Sequence, residues 1–474
     1  MLESIKAFLN VGPAVMMPVF ILVLGLIFRQ GFSRSFRAGI TIGVGFIGVF
    51  AIIGIMSNVV GPAMKAMVER FGLQLTALDM GWPTAATISW AMPTAVAIVP
   101  LCIAFNLLLI AIGQARTLNV DVWNYWNSAF TAAIMYIATH NLWLSLAAAM
   151  LFYFLLFKVG EWAAPITQDP EVFNFPGVCW VWYTTPMAVM GFFLNKLLDY
   201  VPGLNRIEAD PETVRKKLGI FGEAPILGLI LGGITGILAG YPVTGVLQVA
   251  VNMAAVMLLL PRMIGVLMEG LLPFADGIQE FMSKRFKGRQ FYIGLDGAIA
   301  AGYVPLLATS MIVIPLAPLL AVILPGNKCL PMADLAIAWA WGVWAAAPSK
   351  GNIVRGTIIH VLFTIFVLYF ATFMAPFLTG AAQMVGMELP EGVMVTALST
   401  AGLMWPILFL IPALYFAGAS DIFGYSPGAM MAFAVVWTVI YLLMWWYVRK
   451  EPARVAATPR SELAALRVGG TTHV

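Results

Sequence analysis

Long apolar runs alternate with short polar interruptions over most of this chain. Runs at 14–28, 40–56, 95–112, 226–238, 304–323, 358–377 and 431–446 span, or nearly span, a bilayer, since a membrane helix needs about 20 apolar residues. Several are broken by Gly or Pro, which bundled membrane helices tolerate because neighbouring groups satisfy the freed backbone. Strands of alternating polarity are not evident, so a β-barrel is not expected. The pattern predicts an all-α integral membrane protein.

Three stretches fit plain spans badly: Trp82 to Trp90, Pro176 to Pro186, and Ile293 to Tyr303. Each is too polar for lipid contact and too apolar for a free loop. Irregular backbone at membrane depth is allowed where protein buries it or it lines a wet cavity. These stretches are read as re-entrant or broken elements around a polar pocket, with interfacial loops in an aromatic belt as the alternative.

The chain repeats itself weakly. Gly12-Pro-Ala-Val, Gly61-Pro-Ala-Met and Leu78-Asp79-Met-Gly81 are followed, in the same order, by Gly222-Glu-Ala-Pro225, Leu272-Pro-Phe-Ala and Leu295-Asp296-Gly-Ala. The offset is roughly 210 residues, and repeats of this kind, inverted in the membrane, characterise transporters with a midplane substrate site. The expected organisation is a first inverted repeat over 1–215, a second over 216–430, and a terminal helix with a cytoplasmic tail over 431–474. Five spans per repeat plus the terminal helix give about 11 transmembrane helices.

Composition sharpens the class. Only 10% of the 474 residues are charged and 61% are hydrophobic, which excludes an ordinary soluble domain. The net charge of +4 gives no ground for a nucleic-acid partner. Basic residues cluster at Arg29/Arg34/Arg37, Arg206/Arg215/Lys216/Lys217, Lys284/Arg285/Lys287/Arg289, Lys350/Arg355 and Arg449/Lys450/Arg454/Arg460. By the positive-inside rule these loops face the cytoplasm, which puts the N-terminus outside and the C-terminus inside. No cleavable signal peptide is expected. Cys102, Cys179 and Cys329 form no CxxC pair, and His140, His360 and His473 are far apart, so no metal site or phosphorylated histidine is signalled.

Against this background a lone acid stands out. Asp296 lies in Ile293-Gly-Leu-Asp296-Gly-Ala, and a carboxylate there costs several kcal/mol unless a partner or polar ligand receives it. Its charge suits the hydroxyls of a substrate; a structural ion pair or a helix cap is the alternative. Asp79 is its counterpart in the first half. Asn119-Val-Asp121-Val-Trp123-Asn124-Tyr125-Trp126-Asn127-Ser128 is a second polar and aromatic cluster. In a helix Trp123 and Asn127 share a face, as do Asn124 and Ser128. Amides beside indoles suit a sugar or polyol, because amides pair with hydroxyls and rings cover C–H faces. An interfacial belt with Asn caps competes with that reading. Thr84 and Thr87 offer hydroxyls to a substrate or to their own backbone.

The motifs together resemble a known family, the membrane-spanning IIC component of a sugar phosphotransferase system (PTS), of the galactitol type in the ascorbate–galactitol superfamily. The resemblance rests on Asp79-Met-Gly81-Trp82-Pro83, Asn119 to Trp126, Pro202-Gly203-Leu-Asn205-Arg206, Phe221-Gly222-Glu223, Ile237 to Tyr241, Ile293 to Asp296 and Leu324-Pro-Gly326-Asn327. It implies a homodimeric permease of the bacterial inner membrane, with re-entrant hairpins and inverted repeats. Such a permease takes up a polyol or sugar, and a separate cytoplasmic EIIB subunit, charged by EIIA, phosphorylates it. No catalytic residue, metal or cofactor is then expected on this chain. Carried over by motif, the substrate site comprises Asp296, Thr84, Thr87 and Asn127, with Trp182 and Tyr183 from the segment Trp180 to Thr185; Asn124 joins the candidates from the polar cluster itself. The family's usual His and Gln are replaced here by Asn127 and by Cys179 to Tyr183, which leaves room for a polyol other than galactitol. The basic loops 206–217 and 284–289 are candidates for contact with an acidic partner, or serve only as membrane anchors. The rival reading is an H⁺- or Na⁺-coupled secondary transporter in which Asp296 or Asp79 binds the ion.

Overall fold

The computed structural model describes residues 13–70, 75–121, 123–204, 223–285, 291–387, 393–402 and 404–460, with the single positions 72, 207, 209, 220, 389, 462 and 463. Helices dominate. In the first half they are α1 (Pro13–Ile27), α2 (Phe32–Arg70), α3 (Gly81–Ala91), α4 (Ala95–Ala111), α5 (Trp126–Thr139), α6 (Leu142–Gln168) and α7 (Met187–Leu198). In the second half they are α8 (Ala224–Leu238), α9 (Val243–Arg285), α10 (Val304–Ile323), α11 (Trp339–Ala346), α12 (Ile353–Met384) and α13 (Met404–Phe416). Then come α14 (Pro427–Tyr447) and α15 (Glu451–Ala457). Among the described residues, five helices are long and apolar enough to cross a membrane, and a sixth span is possible if α3 and α4, bent by 95° at their junction, count as one.

Among the described residues, six strands of two to four residues, which the hydropathy pattern did not reveal, lie within this helical framework. They are β1 (Ala77–Asp79), β2 (Thr117–Asn119), β3 (Val178–Trp180), β4 (Tyr292–Leu295), β5 (Cys329–Leu330) and β6 (Met394–Thr396). They form two parallel sheets with exchanged membership. β1, from the first half, lies between β5 and β6 of the second, with Ala77 opposite Cys329 and Met394. β4, from the second half, lies between β2 and β3 of the first, with Ile293 opposite Leu118 and Val178. Each sheet gives irregular backbone the hydrogen-bond partners that a membrane interior withholds. The three stretches that fitted plain spans badly fall where these strands pass into short helices: α3 after β1, the turn at 181–186 after β3, and the 3₁₀ turn Gly297–Gly302 after β4.

Around the sheets, α2 and α9 run antiparallel, with Gly48 against Met263 and Gly270 against Ala38 and Ile42. Arg70 caps α8 through the carbonyls of Ile237 and Leu238. α14 packs on α7 and α13 and leaves Val435, Val439, Leu443 and Trp446 exposed on one side, a stripe suited to lipid.

One of the basic clusters is buried in ion pairs. Lys350 and Arg355 are not surface charges. Lys350 is buried and pairs with Asp169 at 2.9 Å and Glu171 at 2.8 Å. Arg355 is buried and pairs with Asp199 at 2.6 Å, with Asn195 as a second partner. Opposite charges far away in sequence draw both inward, which a count of positive residues along the chain cannot register. Arg206, Arg215, Lys216, Lys217, Lys287 and Arg289 lie outside the described residues.

Candidate functional site

Both sheets end in carboxylates. Asp79 is the last residue of β1, the central strand of its sheet, and Asp296 directly follows β4, the central strand of the other. Asp334 follows edge strand β5, and Asp121 follows edge strand β2. Each sheet therefore presents two acids at the carboxyl ends of parallel strands.

Around β4, Asp296 caps the turn Gly297–Gly302, its Oδ1 accepting the N–H of Ala298 at 2.7 Å. Its own N–H donates to Asp121 Oδ2 at 3.1 Å. Asp121 Oδ1 accepts the N–H of Asn124 at 3.3 Å, and the Asn124 amide donates to the carbonyl of Val181 at 2.7 Å. Asn127 Nδ2 in turn donates to the Asn124 carbonyl at 2.8 Å. Trp182 follows Val181, and its ring lies over Gly297, where any Cβ would fall 2.1 Å from Cε3. The same ring stacks on Trp339 at 6.0 Å and meets Tyr183 edge-on at 4.8 Å; Tyr183 also packs on Trp126 at 5.7 Å. Asp296, Asn124, Asn127, Trp182 and Tyr183 thus form one connected constellation.

Around β1 the acids are more tightly held. Asp79 Oδ1 accepts the N–H groups of Gly81 and Leu398, at 3.1 and 3.2 Å. Its Oδ2 accepts those of Met332 and Asp334, at 3.0 and 2.9 Å. Asp334 accepts the N–H groups of Trp82 and Ser399, both at 2.7 Å. These bonds seat the first turn of α3, which carries Thr84 and Thr87. Both threonine hydroxyls donate to their own helix, Thr84 to Met80 O at 2.9 Å and Thr87 to Pro83 O at 2.8 Å. Their donor is spent, but each oxygen keeps acceptor capacity. α3 packs against α5, the helix of Asn127.

Two features separate the halves. Asp79 is 2% exposed with both oxygens occupied. Asp296 is half-buried, and among the described residues nothing bonds its Oδ2. The same neighbourhood holds a buried acceptor without a protein partner, Asn127 Oδ1, and the unpartnered Thr184 hydroxyl. Among the described residues no ion pair reaches Asp79, Asp296 or Asp334. Backbone N–H groups and helix N-termini, not cations, hold these charges. Among the described residues, the β4 side is left with unpartnered polar atoms.

Comparison with known proteins places the chain. The profile of the EIIC-GAT family, described as the PTS system sugar-specific permease component, matches residues 7–392. The chain belongs to that family. It is 36% identical over 413 residues to the PTS system galactitol-specific EIIC component of Escherichia coli K12, covering 86% of this chain and 90% of the relative. The corresponding protein of Escherichia coli O157:H7 matches to the same extent. As an EIIC component the chain is a multi-pass membrane protein.

Sequence reasoning about this EIIC missed Asp334, Ser399 and Trp339. A signal for Asp334 existed: it follows Asp121 by nearly the interval that separates Asp79 from Asp296. The interval goes unnoticed because Leu330-Pro-Met-Ala-Asp-Leu reads as an ordinary loop. Trp123, placed on a face with Asn127, instead lies in a 3₁₀ turn that ends before α5 begins. His360 serves the interior, with Nε2 at 3.1 Å from the Ala338 carbonyl.

Proposed function

We propose that this EIIC is the permease subunit of a phosphotransferase system for galactitol or a polyol of similar size, taking it inward for phosphorylation by a separate EIIB. The observation that carries this reading is the open carboxylate of Asp296, joined through Asp121 and Asn124 to Asn127, whose Oδ1 has no partner among the described residues. A polyol is rich in hydroxyl donors, and this site is rich in unspent acceptors. Charge-assisted bonds to Asp296 are worth about 1.5–3 kcal/mol each. Thr84 and Thr87 add two acceptor oxygens, Asn124 holds Asn127 in place, and Trp182 and Tyr183 supply apolar surface for C–H faces.

The wider organisation follows the same proposal. The exchanged sheets, with Asp79 and Asp296 at matching strand ends, support two inverted repeats. The boundaries are 1–215 and 216–430, with 431–474 as a terminal helix and tail. The arginines before α2 and after α14 support an external N-terminus and a cytoplasmic C-terminus, in a bacterial inner membrane. The protein works as a homodimer with EIIB and EIIA as partners, and needs no metal or cofactor of its own.

Uptake by right-side-out vesicles, loaded with phosphoenolpyruvate and the purified phosphocarrier proteins, tests the proposal. Galactitol should accumulate only as a phosphate ester. Accumulation of free galactitol driven by a proton or sodium gradient would instead establish the secondary-transporter alternative.

A further inference from the structure

We propose that Asp79 and Asp334 are positioning residues for substrate recognition, setting the angle at which α3 presents Thr84 and Thr87. The inference rests on the reading above that those threonines face the polyol.

The two carboxylates collect six backbone N–H groups from three chain segments: Gly81 and Trp82 at the start of α3, Met332 and Asp334 after β5, and Leu398 and Ser399 after β6. The first N–H groups of a helix have no partner within it, and anions there also oppose the helix dipole. The α3 N-terminus is therefore fixed by charge in two directions at once. Packing fixes it less. The buried face of α3 consists of Gly81, Ala85, Ala86, Ile88 and Ser89, which offers little apolar area to hold an orientation. The far end of α3 meets α4 at a 95° bend, so α4 does not continue its axis. Gly81 fits the same purpose. Its φ of +79° is strained for other residues, and a Cβ there would lie 3.0 Å from Ala333 Cβ and 3.3 Å from Asp334 Oδ1.

The arrangement differs from its counterpart around Asp296 in one respect that assigns the roles. Asp79 has no oxygen left for a ligand, so it acts through the helix it caps.

The test is a thermodynamic cycle measured by calorimetric titration of the full-length purified protein with galactitol. Asp334→Asn should weaken binding about tenfold in the native background. It should weaken binding less than twofold when Thr84→Ala and Thr87→Ala are already present. General damage to the fold predicts equal losses in both backgrounds, and that result would overturn the inference, as would native affinity in Asp334→Asn. Gly81→Ala, which displaces the α3 start by crowding Ala333 and Asp334 while keeping both carboxylates, should show the same dependence on the threonines and serves if Asp334→Asn does not fold. If the threonine pair can be removed without loss while Asp296→Asn abolishes binding, this inference fails and the polyol site stands. If Asp296→Asn also binds normally, the polyol site itself is refuted.

Discussion

The N–H of Asp296 donates to Asp121 Oδ2 at 3.1 Å, so one acid fixes the backbone of the other. Asp121 also accepts the N–H of Asn124, which makes it the joint between the two polar clusters of the site. Asp121→Ala leaves both N–H groups short of their partner. A buried donor left unsatisfied costs about 1–3 kcal/mol. The variant should lose thermal stability in detergent and bind galactitol at least tenfold more weakly (about 1.4 kcal/mol). Native affinity in calorimetric titration would show that Asp121 does not set the site geometry.

Asn127 should separate binding from folding. Its Oδ1 has no protein partner, while its Nδ2 supports only the neighbouring Asn124. Asn127→Leu therefore removes an acceptor from the ligand and little from the fold. Galactitol affinity should fall by about 1–3 kcal/mol, with a melting temperature close to that of the parent protein. A large drop in melting temperature with unchanged affinity would assign Asn127 to structure alone.

Gly297→Ala tests the contact between Trp182 and the turn after Asp296. The new methyl would enter the indole ring, so Trp182 must shift and its stack on Trp339 must open. Overpacking of this kind costs about 1–3 kcal/mol. Quenching or a spectral shift of tryptophan fluorescence, together with weaker galactitol binding, is the expected outcome. An unchanged spectrum and affinity would mean that the ring accommodates the methyl and is not part of the recognition surface.

A pH response is expected outside the membrane-spanning helices. Desolvation pushes the Glu171 carboxyl upward, but the hydrogen bond and charge of Lys350 and the N–H and charge of Arg460 outweigh it. The net result is a pKa below the ordinary 4.5. Lys350 also bonds the carbonyl of Thr458, so this cluster ties the loop after α6 to the chain end beyond α15. A lowered carboxyl pKa stabilises the folded state above the unfolded value, and that contribution disappears as pH falls through the folded one. The melting temperature should be insensitive to Glu171 ionisation at pH 6–7 and fall below about pH 4.5. Glu171→Gln should be less stable than the parent at pH 7 and should lessen that acid-side fall. Parallel melting curves for the two proteins across this range would remove Glu171 from the account.

The helical framework was legible because long apolar runs carry their own signal, as in α6, α10 and α12. Asp296 stood out because a charge amid Ile293-Gly-Leu and Gly-Ala-Ile needs a partner, and one oxygen finds it in the Ala298 N–H of the turn that Asp296 caps. The sheets were not. Strands of two to four residues are too short for alternation to register, and Ala77 finds its partners only at Cys329 and Met394. Sequence favoured Asp296 over Asp79 for the substrate but read Asp79 as the less buried of the two; Asp79 is 2% exposed, because the strand pairings close around it. The ion pairs of Lys350 were hidden for the same reason, since its partners Asp169 and Glu171 lie far from it in sequence.

Galactitol titration of Asp296→Asn, side by side with the parent protein, bears most directly on the central claim that the open carboxylate receives the polyol. The amide keeps the shape of the side chain and surrenders its charge. We predict a protein that inserts and melts like the parent but loses about 1.5–3 kcal/mol of binding free energy, at least a tenfold rise in Kd. Affinity within twofold of the parent would contradict the claim.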